Sequence, residues 1–241
     1  MTMQLAGKTI LVTGGTDGIG LALARRLKAA GSTVIVVGRN AERIAAAQAE
    51  GFEALVADLS REAGCAELLA AVAGRPIDIL VNNAGMGVPF DVAAPIDMGV
   101  VDQSIFLNLN APIRLIAGML DALRTRPEAM IVNVTSGLAI APAATTPVYC
   151  ATKAGLHSFT RALRAQLADS KIHVLEVLPP VVETRMTEDN HHSKMPAPEC
   201  ARQIVVAMEK SRDQANVGMT AVLNAVYNVS PAIARRIMLR Y

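Results

Sequence analysis

Thr9-Ile-Leu-Val-Thr-Gly-Gly-Thr-Asp-Gly-Ile-Gly20 sets a short β-branched run against a glycine-rich turn that leads into the Ala- and Leu-rich segment Gly18 to Ala30. A strand that enters a helix through such a turn predicts the first unit of a parallel α/β sheet. Glycines at 14, 18 and 20 permit a tight turn, close approach of backbone to a pyrophosphate and close packing of helix on strand. The helix N-terminus then faces the phosphates. The spacing is GxxxGxG, where the more familiar dinucleotide fingerprint is GxGxxG. Gly14, Thr16, Asp17, Gly18, Ile19 and Gly20 are the cofactor contacts expected from this turn.

Outward from it, β-branched runs alternate with amphipathic segments. The strand candidates are Thr9 to Val12, Thr33 to Val37, Glu53 to Val56, Ile77 to Val81, Met130 to Val134 and Ile172 to Val177. Between them lie helix candidates Gly18 to Ala30, Ala41 to Glu50, Arg61 to Val72, Val100 to Leu123 and Val148 to Ala168. This rhythm implies right-handed βαβ units and a Rossmann-type, doubly wound parallel sheet. With 241 residues and no linker or repeat, the expectation is a single dinucleotide-binding and catalytic domain over 1–241. Two segments break the rhythm. Gly137 to Pro147 is rich in Ala, Pro and Thr, and the polar stretch 183–198, Glu183 to Pro198, reads as a lid. The last 25 or so residues allow a strand at Asn216 to Val222 or a helix that begins almost at once.

Apolar residues make up 52% of the chain and aromatics 3%, without Trp, so the core must be aliphatic. Lys and Arg number 23 against 21 Asp and Glu, dispersed, which gives no nucleic-acid signature. Cys65, Cys150 and Cys200 form no metal-ligand spacing and, being odd in number, no disulfide framework; a reducing compartment and no metal are expected. No signal peptide is visible, and no apolar stretch approaches the roughly 18 residues that span a bilayer. The expectation is a cytoplasmic protein with no membrane partner.

Tyr149-Cys-Ala-Thr-Lys153 places a phenol and an ammonium on one helix face. A nearby cation favours phenolate and lowers a pKa that is about 10 in model peptides, so such a phenol can trade protons near neutrality. Arg39 stands nineteen positions beyond Gly20, at the end of the second strand candidate. NAD enzymes commonly put an acid there for the ribose 2′-hydroxyl, whereas a cation accommodates a 2′-phosphate. Arg39 therefore favours NADP(H). Asn40 is either a second donor or the N-cap of the next helix.

These pieces together resemble the short-chain dehydrogenase/reductase family in its single-domain, classical form. The resemblance is carried by TGGTDGIG at 13–20, Asp58-Leu59, Asn82-Asn83-Ala84-Gly85, Asn108, Ser136, YCATK at 149–153, Pro179 and Thr184, in the family's order. It implies a ketone or aldehyde interconverted with an alcohol, in a homodimer or homotetramer. Tyr149 would be the general acid or base, Lys153 would lower its pKa and bind the nicotinamide ribose, and Ser136 would hydrogen-bond the substrate oxygen. Asn108 would hold a water linking Lys153 to solvent, with Asn110 the competing choice. Asp58 would meet the adenine edge with the Leu59 amide beside it, and Asn83, Ala84 and Gly85 would line the adenosine ribose. Pro179, Val182 and Thr184 would border the carboxamide, although Pro180 replaces the family's usual glycine. The family's glycine pair near the C-terminus is also missing. Two alternatives stay open: an NAD(H)-dependent dehydrogenase of the same fold, and a dinucleotide-binding redox sensor that performs no chemistry. For His157, one turn beyond Lys153, a structural or subunit-contact role is expected, and His191 and His192 read as lid surface.

Overall fold

The computed structural model describes residues 2–189 and 191–240; Asn190, inside the expected lid, lies outside the described residues. Among these the β-branched runs form β1 (Thr9–Thr13), β2 (Thr33–Gly38), β3 (Glu53–Val56), β4 (Ile79–Asn82), β5 (Ala129–Val134), β6 (Ile172–Leu178) and β7 (Gln214–Asn216). The strands pair in parallel in the order β3-β2-β1-β4-β5-β6-β7. The chain winds from β1 out to β3, then crosses back to β4. That reversal opens a crevice beyond the carboxyl ends of β1 and β4.

The helices are α1 (Gly18–Ala29), α2 (Ala41–Ala49), α3 (Glu62–Ala71), α4 (Met98–Ile105), α5 (Ala111–Arg124), α6 (Pro147–Gln166), α7 (Ala197–Glu209), α8 (Met219–Val229) and α9 (Pro231–Met238). On one face of the sheet Ile10, Val12, Val36 and Val81 pack against Leu23 and Leu27 of α1 and Ile204 and Met208 of α7. On the other, Leu11, Ile35, Leu80 and Ile131 pack against Leu68 of α3 and Leu115, Met119 and Leu123 of α5. Coverage on both faces is why these strands read as continuous aliphatic runs rather than as alternating ones.

Helices α4 and α5 are joined by a π-helical turn, Phe106–Asn110, into one continuous helix. Pro112 supplies a cause: it has no N–H to donate to the Asn108 carbonyl four residues back, so α-helical bonding cannot pass through that point. From Met98 to Arg124 this helix has 27 residues, and an 18-residue window within it has a mean hydropathy of 1.2, enough by length and composition to cross a membrane, which corrects the expectation that no stretch comes near. Its apolar character has a local explanation, since Leu115, Ile116, Met119 and Leu123 are buried in the core. The C-terminal strand is short and begins at Gln214, and Ser230, the N-cap of α9, separates the two helices that follow.

Candidate functional site

A cleft of about 500 Å³ opens beyond the carboxyl ends of the strands, and the glycine turn forms its floor. Gly14 has φ +62°, and a Cβ there would lie 2.9 Å from Ala84 Cα. A Cβ on Gly20 would come within 2.1 Å of the Gly14 carbonyl oxygen. Both positions therefore require glycine for close approach. The Asn83 amide donates to the carbonyls of Thr13 at 3.0 Å and Gly14 at 3.2 Å, and the Asn83 and Ala84 N–H groups donate to Thr13 Oγ1 at 3.0 and 3.1 Å. The turn is thereby tied to the segment after β4. Asp17 caps α1, its Oδ1 accepting from Gly18 N–H at 2.8 Å. The result is a closely packed backbone turn at a helix N-terminus, a geometry that fits a pyrophosphate, with the Asp17 carboxylate at its edge.

The second-strand end carries a ring of charge. Arg39 lies 3.4 Å and Arg61 3.1 Å from the Asp58 carboxylate, while Arg43 lies 3.1 Å and Arg185 3.7 Å from that of Asp17. Four guanidiniums thus surround two carboxylates. Burial pushes the Asp58 carboxyl up, but hydrogen bonds from Ser60 and the two arginines outweigh it and hold the pKa below its ordinary value. Asn40 is the N-cap of α2, its Oδ1 accepting from Arg43 N–H at 2.9 Å. Gly38 has no room for a side chain: a Cβ would sit 2.4 Å from Thr16 Oγ1.

The other end of the cleft brings together Ser136, at the end of β5, with Tyr149 and Lys153 of α6. Ser136 Oγ accepts from Leu138 N–H at 3.1 Å, capping the short turn after the strand. Its own hydroxyl proton remains to be directed elsewhere. Lys153 is buried and donates to the Val134 carbonyl at 2.9 Å, with Nζ 5.7 Å from the centre of the Tyr149 ring. Burial brings the Lys153 pKa down to about 8. Burial also pushes the Tyr149 phenol up to about 12, against the lowering effect of a hydrogen bond from Ser136. This reverses the expected lowering, because desolvation of the phenolate outweighs the hydrogen bond from Ser136.

Every expected site residue except Gly20 and Asn108 lines the cleft. Gly20 packs behind the turn. Asn108 is fully buried in the π turn, where Oδ1 accepts from Met86 N–H at 2.9 Å and Nδ2 donates to Met86 O at 2.8 Å and Thr152 Oγ1 at 3.1 Å. A Cβ on Gly85 would lie 3.1 Å from Asn108 Oδ1 and 3.4 Å from Lys153 Nζ, so Asn108 stands directly behind the site, while Asn110 is exposed. Arg43 and Arg185 were not expected here. Arg43 was legible as a cation one helical turn beyond Arg39; Arg185 depends on the lid's path. That segment folds over the turn: Glu183 N–H donates to Met195 O at 2.8 Å, Met195 N–H to Val181 O at 2.9 Å, and Thr184 packs its methyl against Gly18. His191 is exposed, and the Cys150 thiol is buried near Thr146 Oγ1 and the Ala143 carbonyl.

A parallel sheet reversing beside a glycine cradle defines the doubly wound, dinucleotide-binding class of α/β proteins. Within that class, the sequence profile of short chain dehydrogenases matches residues 8–194. The uncharacterized oxidoreductase DltE of Bacillus subtilis (strain 168) is 42% identical over 193 residues, 77% of this chain and 76% of its own. A short chain dehydrogenase from Burkholderia cenocepacia J2315, solved in complex with NADP, shares the fold with a TM-score of 0.87 at 23% identity, over 98% of this chain and 99% of that one. A short-chain dehydrogenase from Sphingobium yanoikuyae, in complex with NADPH, gives a TM-score of 0.83 at 27% identity over 94% of each chain. The chain belongs to the short-chain dehydrogenase/reductase family and is an oxidoreductase of that fold.

Proposed function

We propose that this chain interconverts a ketone or aldehyde and an alcohol with NADP(H), and that Tyr149 moves the proton. The observation that carries the proposal is the convergence of Ser136, Tyr149 and Lys153 at one end of a cleft whose other end holds the glycine cradle and the arginines. A redox sensor needs only the second half.

When bound, the nicotinamide supplies or takes the hydride. The cradle at Gly14 to Ile19 would hold the pyrophosphate, Asp58 and Leu59 the adenine, and Asn83 to Gly85 the adenosine ribose. Pro179, Val182 and Thr184 would border the nicotinamide. Arg39 and Arg43 favour a 2′-phosphate, since guanidiniums bind phosphate in pairs of hydrogen bonds. Thr16 adds a steric argument: it occupies the space in which a carboxylate at 38 would have to begin. The NADPH-bound Sphingobium relative supports the same choice.

Reduction of a carbonyl develops negative charge on its oxygen and needs a proton there. Tyr149 holds its proton at neutral pH because burial raises its pKa to about 12, which is the form a general acid requires. Ser136, its oxygen fixed by Leu138, can aim its hydroxyl proton at the same substrate oxygen. Lys153, cationic below about pH 8, stabilises the phenolate left behind. Asn108, buried behind Gly85 and Lys153, would hold a water that links Lys153 to solvent. Met86, Met186 and Pro180 line the remainder of the cleft and favour an apolar carbonyl substrate. The test is a carbonyl panel followed by coenzyme absorbance with NADPH and NADH side by side. Turnover with NADPH is expected; no turnover with any carbonyl and either coenzyme would overturn the reading.

A further inference from the structure

Tyr149, Lys153 and His157 follow one another at four-residue intervals on α6 and share one face. Tyr149 and Lys153 serve the cleft. His157 meets Glu176 in the middle of β6, with Nδ1 2.8 Å from Oε1 and 3.0 Å from Oε2. The Glu176 side chain is 0% exposed, and a buried carboxylate is costly unless its oxygens are partnered. Its other partner is Thr135, whose hydroxyl donates to Oε1 at 2.7 Å. Thr135 directly precedes Ser136 and lines the cleft. One carboxylate therefore joins the helix that bears Tyr149 to the strand end that bears Ser136.

We propose that Glu176 is a positioning residue that, through His157 and Thr135, fixes the spacing between the Tyr149 proton donor and the Ser136 hydroxyl. The inference rests on the roles given to Tyr149 and Ser136 above. Proton transfer depends steeply on that spacing, since a misplacement of about 1 Å can cost about 10²-fold in rate. The ordinary hydrogen bonds of the β5–β6 ladder fix the strands to each other; the carboxylate adds the link to α6.

The experiment uses the full chain with whichever carbonyl of the panel is reduced fastest. His157→Leu and Thr135→Val should each lower kcat about tenfold or more while leaving the Kd for NADPH, read by coenzyme fluorescence, within about twofold. Combined, they should cost no more than the worse single change, because both act through the same carboxylate. His157→Leu/Glu176→Met removes the charge with its partner and should regain the Tm lost by His157→Leu. It should not regain kcat. Recovery of kcat together with Tm, multiplying single effects, or unchanged kcat in the single variants would each overturn the clamp. Thr135→Val keeps the side-chain shape and the His157–Glu176 contact, so it carries the test if His157→Leu does not fold. Tyr149→Phe, run in parallel, separates the two levels: wild-type turnover there defeats the reading of Tyr149, whereas loss there beside unchanged clamp variants defeats the clamp alone.

Discussion

Replacing Arg39 by Ala tests coenzyme preference, and the structure dictates how the companion change must be made. Hydrogen bonds to charged groups contribute about 1.5 to 3 kcal/mol each. Arg39 is 58% exposed on its side chain and already lies 3.4 Å from Asp58, so water and that carboxylate compete for it. The lower end of the range applies, and Arg39→Ala should weaken NADPH binding about tenfold. Installing an acid for the 2′-hydroxyl at Gly38 is the natural second step, but a Cβ there would stand 2.4 Å from Thr16 Oγ1. Gly38→Asp alone is therefore expected to lower Tm and to impair both coenzymes. Thr16→Ala/Gly38→Asp/Arg39→Ala relieves the contact and sets a carboxylate against the phosphate; kcat/KM with NADPH should fall on the order of a hundredfold, and with NADH hold or rise. The assay is steady-state kinetics with both coenzymes on one carbonyl. An unaltered chain that already prefers NADH, or an Arg39→Ala variant within twofold of it for NADPH, would refute the reasoning.

Tyr149→Phe should reduce kcat by about 10² to 10⁴ with NADPH affinity retained, measured by turnover and coenzyme fluorescence. Lys153→Met should lose turnover yet gain stability at pH 7. The folded pKa of about 8 lies below the unfolded value, so the charged amine disfavours the fold below pH 8 and that penalty fades as pH rises towards the unfolded pKa. Set against the lost hydrogen bond to Val134, the gain should be about 1 to 2 kcal/mol at pH 7, vanish at about pH 9 to 9.5 and turn into a loss by about pH 10.5 in urea titrations. In the lid, Arg185 to Glu188, where the Thr187 and Glu188 N–H groups bond within their own short turn, should gain protection from hydrogen exchange when NADPH and substrate bind, whereas Glu183 and Met195, bonded across the segment, should change less. Equal exchange in free and ternary states would remove the lid from the mechanism.

The fold was legible because its signals are local. β1, its turn and α1 are contiguous, and strands buried on both faces announce themselves as aliphatic runs, so the six strand candidates agree with the structure to within about two residues at each end. β7 is three residues long and too short to show a period. The cleft was legible at Gly14, Arg39, Ser136, Tyr149 and Lys153 because each sits at the end of a strand or on a recognisable helix face. Contacts formed across the fold were not. Nothing near Gly38 signals that Thr16, twenty-two positions earlier, fills its side-chain space. The raised Tyr149 pKa is not legible for a related reason, since spacing shows the cation but not how much water the fold removes.

Polar residues inside those aliphatic runs were the unused signal. Asn82 ends β4, Asn133 interrupts Met130-Ile-Val-Asn-Val134, and Glu176 interrupts Val174-Leu-Glu-Val-Leu178. In the sheet the three fall in register, Asn82 opposite Asn133 and Asn133 opposite Glu176. Asn82 Nδ2 donates to Asn133 Oδ1 at 2.9 Å, Asn133 Nδ2 to Thr160 Oγ1 at 2.9 Å, and Glu176 takes its bonds from His157 and Thr135. Buried polar groups are mostly partnered, and the breaks at Asn133 and Glu176 each meet a polar residue on the helix that covers them, whereas Asn82 turns to its neighbour strand and leaves Oδ1 unpartnered among the described residues. Here both helical partners, His157 and Thr160, lie on α6, the same helix that carries Tyr149 and Lys153. A purely aliphatic contact would let that helix slide or roll at little cost, since apolar packing has no direction; hydrogen bonds at fixed positions do not. The polar row thus sets α6 in one register over the sheet, and the register of α6 is what brings a phenol and an ammonium to the end of β5.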